Sequence, residues 1–428
     1  MSRTGRAFST LAALLLLAPI ARAEAESVVV VKGSYRVEAG VPVLRLWGTP
    51  HERGFAHGYL LADLILEGAS RDLERLFGDR LAGYDAVVVP MMERSFSFSP
   101  AEREEMEGLL AGIRARRPEG KRRLEVLGRD VTLPDVMVMN TVGDWYAAGC
   151  SSAAVWGAGS ADGTPSVVRN FDFLRMDLLM LHQHVRIVSA VAGKDARRGW
   201  VGLAHPGSIG VITGLNDTGV FAAIHDVPVR VTDKDRRQRN VPRLLALRRL
   251  LEELAPARAC ETALDRVRGW PTYFGNNFMI ATPDVKSGLP AGVLEYDTDE
   301  ERTSGAALRG PADRDGAAWS WVISTNHHRL RGTGSCSRYD ALDAGCAALD
   351  PDAAEPWDAP RLFQLAARAA VPDADIPAAR ATVATLHQVV AFTGARKLWI
   401  RLIDPSRNIR DAKPHEIDVT KALAANGR

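Results

Sequence analysis

The chain has 428 residues, of which 46% are hydrophobic and 25% are charged. This is enough apolar material for one large or two moderate globular domains with a sizeable core. A formal net charge of +2 provides no strong field of either sign, so binding to nucleic acid is not predicted.

The first 23 residues have the features of a secretory signal. Two arginines precede an apolar run over residues 11–20, and an Ala-Arg-Ala cleavage sequence follows at 21–23. The run is too short to span a bilayer. We therefore predict a signal peptide at 1–23, a mature chain that starts near Glu24, and export to the periplasm or the extracellular space. No later run in the sequence is long and apolar enough to predict a transmembrane segment.

The N-terminal part of the sequence predicts two strands followed by three helices. Thr-Pro-His-Glu at 49–52 and Ser-Pro-Ala-Glu at 99–102 are capping boxes with proline at the first helical position, and Thr-Leu-Pro-Asp at 132–135 begins a third helix. The predicted ranges are strands 27–31 and 42–47 and helices 49–77, 99–116 and 132–146. We expect the block 24–149 to be helical.

A β-hairpin is predicted next. Two short apolar segments, 150–156 and 167–173, are separated by an Asp-Gly turn. A hairpin brings its two ends together, so Cys150 is expected near Arg169 and Asp172. A nearby cation lowers the pKa of a cysteine. Taken alone, the hairpin is equally compatible with a buried cysteine beside a structural Arg–Asp ion pair.

Beyond the hairpin the pattern alternates between groups of strands and pairs of helices. The predicted strands are 184–191, 200–204, 208–213, 220–225, 278–282, 292–296, 319–324, 386–392 and 397–403, and the predicted helices are 242–254, 256–268, 339–349 and 360–370. Such strands suit one large antiparallel sheet or two stacked sheets rather than alternating βαβ units. The pattern therefore predicts an α+β fold, with helices before and between two groups of strands, as in an αββα sandwich.

Two motifs carry a resemblance to a known family. Gly-Cys-Ser-Ser at 149–152 and Arg-Asn-Phe-Asp at 169–172 resemble the centre of the N-terminal-nucleophile (Ntn) hydrolases. Among these, the match is to the penicillin acyltransferase-like (acyl-coenzyme A:6-aminopenicillanic acid acyltransferase) family and the related choloylglycine hydrolases. The segment 48–58 also resembles the Gly-Thr-Pro…Gly…His-Gly opening of the acyltransferase family.

The resemblance implies an Ntn-hydrolase αββα sandwich of two stacked, mainly antiparallel sheets. In those families the peptide bond before a cysteine is cut, and the freed cysteine is the nucleophile while its own α-amine is the general base. Here the cut would fall between Gly149 and Cys150. It would separate a helical fragment, 24–149, from a catalytic fragment, 150–428.

Five further site residues follow from the resemblance. Asp172 is expected to hold the α-amine of Cys150, and Arg169 to favour its thiolate. In the penicillin acyltransferase the position of Arg169 is not arginine, whereas in the choloylglycine enzymes it is, so the chain mixes features of both branches. The remaining three motifs are Gly-Leu-Asn-x-x-Gly at 214–219, Thr-Asn-His at 325–327 and Ser-Arg-Tyr at 337–339.

These three motifs imply separate roles. Asn216 is expected to help form the oxyanion hole, where one donor contributes about 2.7–4 kcal/mol. Asn326 is expected to contact the nucleophile and the reacting carbonyl. Arg338 is expected to orient the polar network around the nucleophile. Without the resemblance, each of these side chains is an ordinary turn, strand-end or helix-start residue.

The other cysteines bear on the hypothesis because the protein is predicted to be exported. Cys336 and Cys346 are close enough in sequence to be a disulfide candidate in an oxidising compartment. Cys150 and Cys260 would then be free or paired with each other. The second arrangement would abolish the nucleophile.

Rival motifs are weaker. No Gly-x-Ser-x-Gly elbow of a serine α/β-hydrolase is present. His182 and His184 would offer two imidazoles to a metal, but no third ligand is indicated, so neither a metal nor a cofactor is predicted. The basic run over 234–243 is a solvated loop and helix start, or a contact for an anionic substrate or lipid headgroup.

The sequence thus predicts a self-cleaving cysteine hydrolase or acyltransferase. It would act on linear carbon–nitrogen amide bonds of a small-molecule substrate with an apolar acyl group, through an acyl-thioester on Cys150, and it could form a homo-oligomer. One alternative is a phospholipase-B-like or ceramidase-like lipid amidase or esterase with the same nucleophile. The other is a non-catalytic exported binding protein in which Cys150 is bonded to Cys260.

Overall fold

A hairpin, Gly33–Glu38 paired with Val41–Leu46, is the first regular structure in the described chain. In the computed structural model the residues described are 29–145, 149–174, 176, 178, 181–193, 196–228, 238–297, 305–311, 319–332, 334–350, 356–371, 383–403 and 409–426. The predicted signal peptide and most of the basic run lie outside these residues. Within them, no helix combines the length and apolar character needed to cross a membrane.

The strands alternate with helices along the chain. In chain order the strands are β1 (Gly33–Glu38), β2 (Val41–Leu46), β3 (Arg123–Leu124), β4 (Arg129–Asp130), β5 (Cys150–Gly157), β6 (Ser166–Leu174), β7 (His184–Val188), β8 (Trp200–Ala204), β9 (Thr213–Asn216), β10 (Phe221–Val227), β11 (Gly275–Ala281), β12 (Ala291–Tyr296), β13 (Ala306–Arg309), β14 (Trp319–Ser324), β15 (Val383–Phe392), β16 (Lys397–Leu402) and β17 (His415–Asp418).

The helices flank these strands. In chain order they are α1 (Pro50–Phe77), α2 (Val89–Ser95), α3 (Pro100–Arg116), α4 (Leu133–Met139), α5 (Arg243–Glu253), α6 (Ala259–Val267), α7 (Ser337–Ala347), α8 (Ala359–Ala367) and α9 (Val419–Ala424). The predicted capping boxes open α1, α3 and α4.

Two large sheets are stacked face to face. One has nine strands in the order β1-β2-β7-β8-β9-β10-β11-β12-β13, and the other has six in the order β14-β5-β6-β15-β16-β17. Neighbouring strands are antiparallel except for β2 and β7, which pair in parallel. A shared apolar layer joins the sheets, with Val201 and Phe221 on one side and Val167 and Val389 on the other.

Helices cover both outer faces. Helices α1, α5 and α6 pack on the nine-stranded sheet, with α3 against α1, and helices α7 and α8 pack on the six-stranded sheet. The predicted α+β class and the αββα sandwich are therefore confirmed. Residues 31–428 form one compact unit, so the boundary predicted at residue 149 lies inside it, and β1 and β2 bring strands from the N-terminal block into the larger sheet.

Close contact between α1 and α3 depends on glycine. A Cβ on Gly54 would lie 1.9 Å from the carbonyl oxygen of Glu105, and a Cβ on Gly58 would lie 1.9 Å from that of Leu109. On the facing helix, a Cβ on Gly108 would meet the His51 oxygen at 2.2 Å. The helix backbones therefore touch directly, which no larger residue permits.

Predicted and observed elements differ in their bounds at several positions. Of the predicted strand 27–31, residues 29–31 are not in a strand and residues 27–28 lie outside the described residues. The first described strand is β1, which is joined to β2 by the turn at Ala39-Gly40, where both φ angles are positive (50° and 91°). The helix from 132 ends at Met139 rather than residue 146. The segment 208–212 is not a strand: its apolar side chains are buried, but the Val211 N–H donates to the Leu244 carbonyl of helix α5.

Candidate active site

Cys150 is the first residue of β5, between β6 and β14 in the six-stranded sheet. It lies opposite Phe171 in the β5–β6 pair. The Asp172 N–H donates to the Gly149 carbonyl oxygen at 3.0 Å. The predicted hairpin is therefore present and brings Arg169 and Asp172 to the cysteine.

Cys150 is buried and has two polar contacts. Its backbone N–H donates to Oδ1 of Asn326 at 2.7 Å. Its Sγ accepts a hydrogen bond from Nη2 of Arg169 at 3.4 Å. The side chain is 1% exposed, so these contacts and the surrounding apolar groups define its environment.

A second arginine links the remaining members of the cluster. Arg338, at the start of α7, donates from Nη1 to Oδ2 of Asp172 at 2.9 Å and from Nη2 to Oδ1 of Asn326 at 2.7 Å. The other Asp172 oxygen accepts from the Thr385 hydroxyl at 2.5 Å. Of the six predicted site residues, the structure thus connects five into one network: Cys150, Arg169, Asp172, Asn326 and Arg338.

Gly149 is closely confined by this network. A Cβ at that position would lie 2.9 Å from Nη1 of Arg338. A side chain before Cys150 would therefore displace the guanidinium from the cluster. The glycine allows the backbone on the N-terminal side of Cys150 to approach the arginine.

Asn216 is not part of the cluster, and the oxyanion role predicted for it is wrong. Both hydrogens of its amide are donated at 3.0 Å, to the carbonyls of Leu251 and Leu254 at the end of α5. Its backbone N–H donates to Val220, at the turn between β9 and β10. The cluster lies at the other end of β10, about 17–20 Å away at 3.3–3.4 Å per residue.

The residue at that other end is Asp226, which the sequence analysis missed. Its carbonyl oxygen accepts from Nδ2 of Asn326 at 2.5 Å, and its carboxylate accepts from Nη1 of Arg243 at 3.0 Å. Arg243 also pairs with Asp144 at 3.4 Å. The available signal was a carboxylate directly after the buried strand predicted to end at residue 225.

Arg243 corrects the interpretation of the basic run. This arginine is 2% exposed and lies between two buried carboxylates, so it is not part of a solvated helix start. Burial raises the pKa of Asp144 to about 7, against the lowering effect of Arg243. The cation and the two carboxylates form a buried charged group, and the charge of Asp226 also acts on Cys150.

The expected lowering of the Cys150 pKa is also wrong for this uncut chain. Burial raises the pKa of the thiol, and the charges of Asp226 and Asp172 add to the rise, while Arg169 opposes it. Burial likewise raises the pKa of Asp172, against Arg338 and the Thr385 hydroxyl. The thiol is therefore neutral at pH 7, because desolvation outweighs the one adjacent cation.

An apolar cavity adjoins the cluster. Phe171 and Ile224 line it; the first pairs with Cys150 across the hairpin, and the carbonyl of the second accepts from Arg169. Helix α1 contributes Leu73 and Leu76 to the opposite wall. Residues from both sides of the Gly149–Cys150 bond therefore build one cavity.

The predicted disulfide is absent. None of the four cysteines forms a disulfide, and Cys336 precedes α7 while Cys346 lies near its end. Ten residues of helix separate them by about 15 Å, more than twice the reach of a disulfide. Cys150 and Cys260 are also unpaired, and the Cys260 Sγ faces the Ile280 carbonyl.

The histidine pair does not form a metal centre. The ring of His184 is buried, with Nδ1 against the His182 carbonyl at 3.2 Å and its edge on His57. Among the described residues, no group of three or more histidine, cysteine, aspartate or glutamate side chains is arranged to hold a metal ion.

No family model matches the chain, and no curated protein matches it significantly. Among solved structures, it is similar to the Caenorhabditis elegans N-acylethanolamine-hydrolyzing acid amidase (NAAA) ortholog, with 16% identity, a TM-score of 0.40, and coverage of 63% of this chain and 100% of that one.

Two further solved structures show a similarity of the same order. A variant of conjugated bile acid hydrolase from Clostridium perfringens has 13% identity and a TM-score of 0.40 over 62% of this chain and 96% of that one. Penicillin V acylase from Agrobacterium tumefaciens has 12% identity and a TM-score of 0.36 over 62% and 91%. Similarity of this strength does not transfer a reaction or a substrate to this chain.

Proposed function

We propose that the protein is a self-cleaving cysteine Ntn hydrolase that acts on amide bonds of substrates with an apolar acyl group. The observation that carries the proposal is the placement of Cys150. Its backbone nitrogen bonds to Asn326, its sulfur accepts from Arg169, and an apolar cavity lies beside the strand pair that presents it.

The first step is cleavage of the chain. The Cys150 thiol attacks the Gly149 carbonyl carbon, the carbon–nitrogen bond breaks, the Cys150 nitrogen takes up the thiol proton, and a thioester forms. Water then hydrolyses the thioester to give a Gly149 carboxylate and a free thiol. The Asp172 N–H, 3.0 Å from the Gly149 oxygen, supports this step because it stabilises the developing oxyanion.

The freed α-amine then acts as the general base for substrate. It takes the thiol proton, and the sulfur attacks the carbonyl carbon of the substrate amide. The α-ammonium then gives this proton to the substrate nitrogen, and the substrate's amine leaves as the acyl-thioester forms. Water releases the acyl group, or an acceptor amine does so in acyl transfer. Asn326 Oδ1, 2.7 Å from the Cys150 nitrogen, is placed to orient that amine. A new ammonium beside the sulfur would lower the thiol pKa that burial raises before cleavage.

The apolar cavity supports an apolar acyl group, and it equally favours the ceramidase-like alternative. The substrate that is hydrolysed distinguishes the proposed function from this alternative. We expect hydrolysis of N-acyl amino acids with aliphatic acyl chains, and turnover of ceramide or phospholipid in their place would establish the alternative. We further propose that the chain is exported after removal of residues 1–23, which N-terminal sequencing of the secreted protein tests.

Intact-mass analysis of the purified protein tests the maturation step. The wild type is expected to yield two pieces, 24–149 and 150–428, whereas C150A is expected to remain one uncut chain. C260A is the matched control, because this second buried cysteine lies outside the cluster, and it should be cut like the wild type. A wild-type protein that hydrolyses amides while uncut would overturn the proposal.

A further inference from the structure

Arg169 is held from the opposite sheet. It belongs to β6 of the six-stranded sheet, yet its Nε donates to the Thr213 hydroxyl at 3.2 Å and its Nη2 to the Ile224 carbonyl at 2.5 Å, both in the nine-stranded sheet. The same Nη2 reaches the Cys150 sulfur at 3.4 Å. Because Arg169 is 0% exposed, protein groups rather than water set its position.

From Thr213 onward, each side chain donates a hydrogen bond to the next group, through His387 and Gln183 to the Leu386 carbonyl. Gln183 donates from Nε2 to the Leu386 carbonyl at 3.2 Å, and its Oε1 faces Nδ1 of His387 at 2.7 Å. An amide oxygen only accepts, so Nδ1 carries the ring proton and Nε2 is an acceptor. The Thr213 hydroxyl, 3.2 Å from Nε2, therefore donates to the ring and turns its lone pairs toward Arg169.

Two features keep the His387 ring in this state. Burial, with a smaller effect of Arg169, lowers its pKa well below the ordinary value, so Nε2 stays unprotonated. The ring also stacks on Phe171, with 4.8 Å between centroids and 22° between planes. Phe171 is the residue opposite Cys150, so the ring is fixed against the strand pair that presents the nucleophile.

We propose that Thr213 and His387 are positioning residues that hold the Arg169 guanidinium on the Cys150 sulfur. The inference rests on the proposed function, in which that sulfur is the nucleophile. Neither residue touches the sulfur, and both act through Arg169. Without the Thr213 lone pair, the guanidinium keeps its contacts to the Ile224 and Asn170 carbonyls but can turn about them, away from the sulfur.

Thr213→Val tests the proposal, with Thr393→Val as the matched control. Thr393 is buried like Thr213 (0% and 1% exposed) and donates one hydroxyl hydrogen bond, to the Pro165 carbonyl at 2.7 Å, but it is not bonded to Arg169. Both variants should lose similar stability. The readout is the pH dependence of Cys150 alkylation by iodoacetamide in the full protein, followed by peptide mass spectrometry, together with kcat and KM for an N-acyl amino acid.

T213V is expected to raise the pH of half-maximal alkylation and to lower kcat about tenfold at unchanged KM, while T393V leaves both unchanged. T213S, which keeps the hydroxyl, should restore wild-type behaviour. If T213V does not fold, H387F takes its place. This variant keeps an aromatic ring stacked on Phe171 but lacks the ring nitrogens, so it is expected to change the alkylation profile and kcat as T213V would. Identical alkylation profiles for T213V and T393V would overturn the proposal. The alkylation profile does not require substrate turnover, so an inactive wild type would overturn the proposed function and leave this test intact.

Discussion

The two ends of strand β10 show how similar residues acquire different tasks. At the turn end, Asn216 makes five hydrogen bonds, to the end of α5 and to Thr218 and Val220 in its own turn. At the other end, Asn326 bonds to the Cys150 nitrogen, to Arg338 and to the Asp226 carbonyl. Both asparagines are buried and lie at or just after the end of a strand.

The difference lies in what each amide connects. The partners of Asn216 belong to the larger sheet and its covering helix, so its amide has no donor left for a substrate. Asn326 joins the end of the smaller sheet to the end of β10 and to the backbone of Cys150. An asparagine whose amide is saturated by a turn and a helix end is structural, whereas Asn326 bridges two sheets at the backbone nitrogen of the cysteine to which we assign the chemistry.

The largest expected effect separates these two asparagines. N326A should slow self-cleavage about 100-fold, because a hydrogen bond to a group that becomes charged contributes about 1.5–3 kcal/mol. N216A should instead lower the free energy of unfolding by about 3 kcal/mol and leave the cleavage rate of the folded protein unchanged. Time courses of intact mass and denaturant unfolding measure the two quantities. Equal slowing of cleavage in the two folded variants would show that Asn326 and Asn216 do not differ in their role in cleavage.

The second effect concerns the two aspartates at the ends of β10. The Asp226 carboxylate raises the pKa of Cys150, so D226N should lower that pKa and increase thiol alkylation at neutral pH by a few-fold. Asp217 accepts from the Gly199 N–H at the turn end, and D217N should leave the alkylation profile unchanged. A thiol that titrates identically in both variants would show that the charge of Asp226 does not reach the sulfur.

The third effect is a change in pH dependence at Asp144. Its pKa is raised by burial from 3.8 to about 7, so the folded state binds a proton that the unfolded state releases between about pH 4 and pH 7. The free energy of unfolding therefore falls as pH rises through this window, and the cost is complete above pH 7.

D144N removes this titration. As pH rises from 4 to 7, the free energy of unfolding of the wild type should fall relative to that of D144N. Urea unfolding of both proteins across that range measures the difference. Taking the difference cancels the opposite contribution of the buried histidines, whose lowered pKa values reduce stability in acid. A difference that is flat with pH would show that Arg243 keeps Asp144 ionised throughout.

Much of the local structure could be predicted from the sequence. The capping boxes at Thr49 and Ser99 placed the starts of α1 and α3, because side-chain caps act within four residues. The hairpin 150–173 was predicted for the same reason, since an Asp-Gly turn determines which residues face each other. Through that hairpin, Cys150, Arg169 and Asp172 were correctly brought together.

Residues that meet across the sandwich were harder to assign. Asn216 and Asp226 lie ten residues apart on one strand pair, and the motif alone did not show which end of β10 faces Cys150. The segment 208–212 was assigned to a strand because β-branched residues signal burial, but the Val211 N–H donates to a helix carbonyl, while Ile212 bonds to β8 and β10. The Cys336–Cys346 pair looked close in sequence, yet a helix holds the two residues apart.

By itself, the sequence determined the capped helix starts and the hairpin that contains Cys150, because caps and turns act over a few residues. Only the tertiary structure decided that Asn326, Asp226 and Arg338 meet near Cys150, that Thr213 and His387 connect to Arg169, and that burial raises the pKa of the Cys150 thiol. These outcomes depend on how two sheets stack and on how completely water is excluded between them, and neither is encoded in any short stretch of chain.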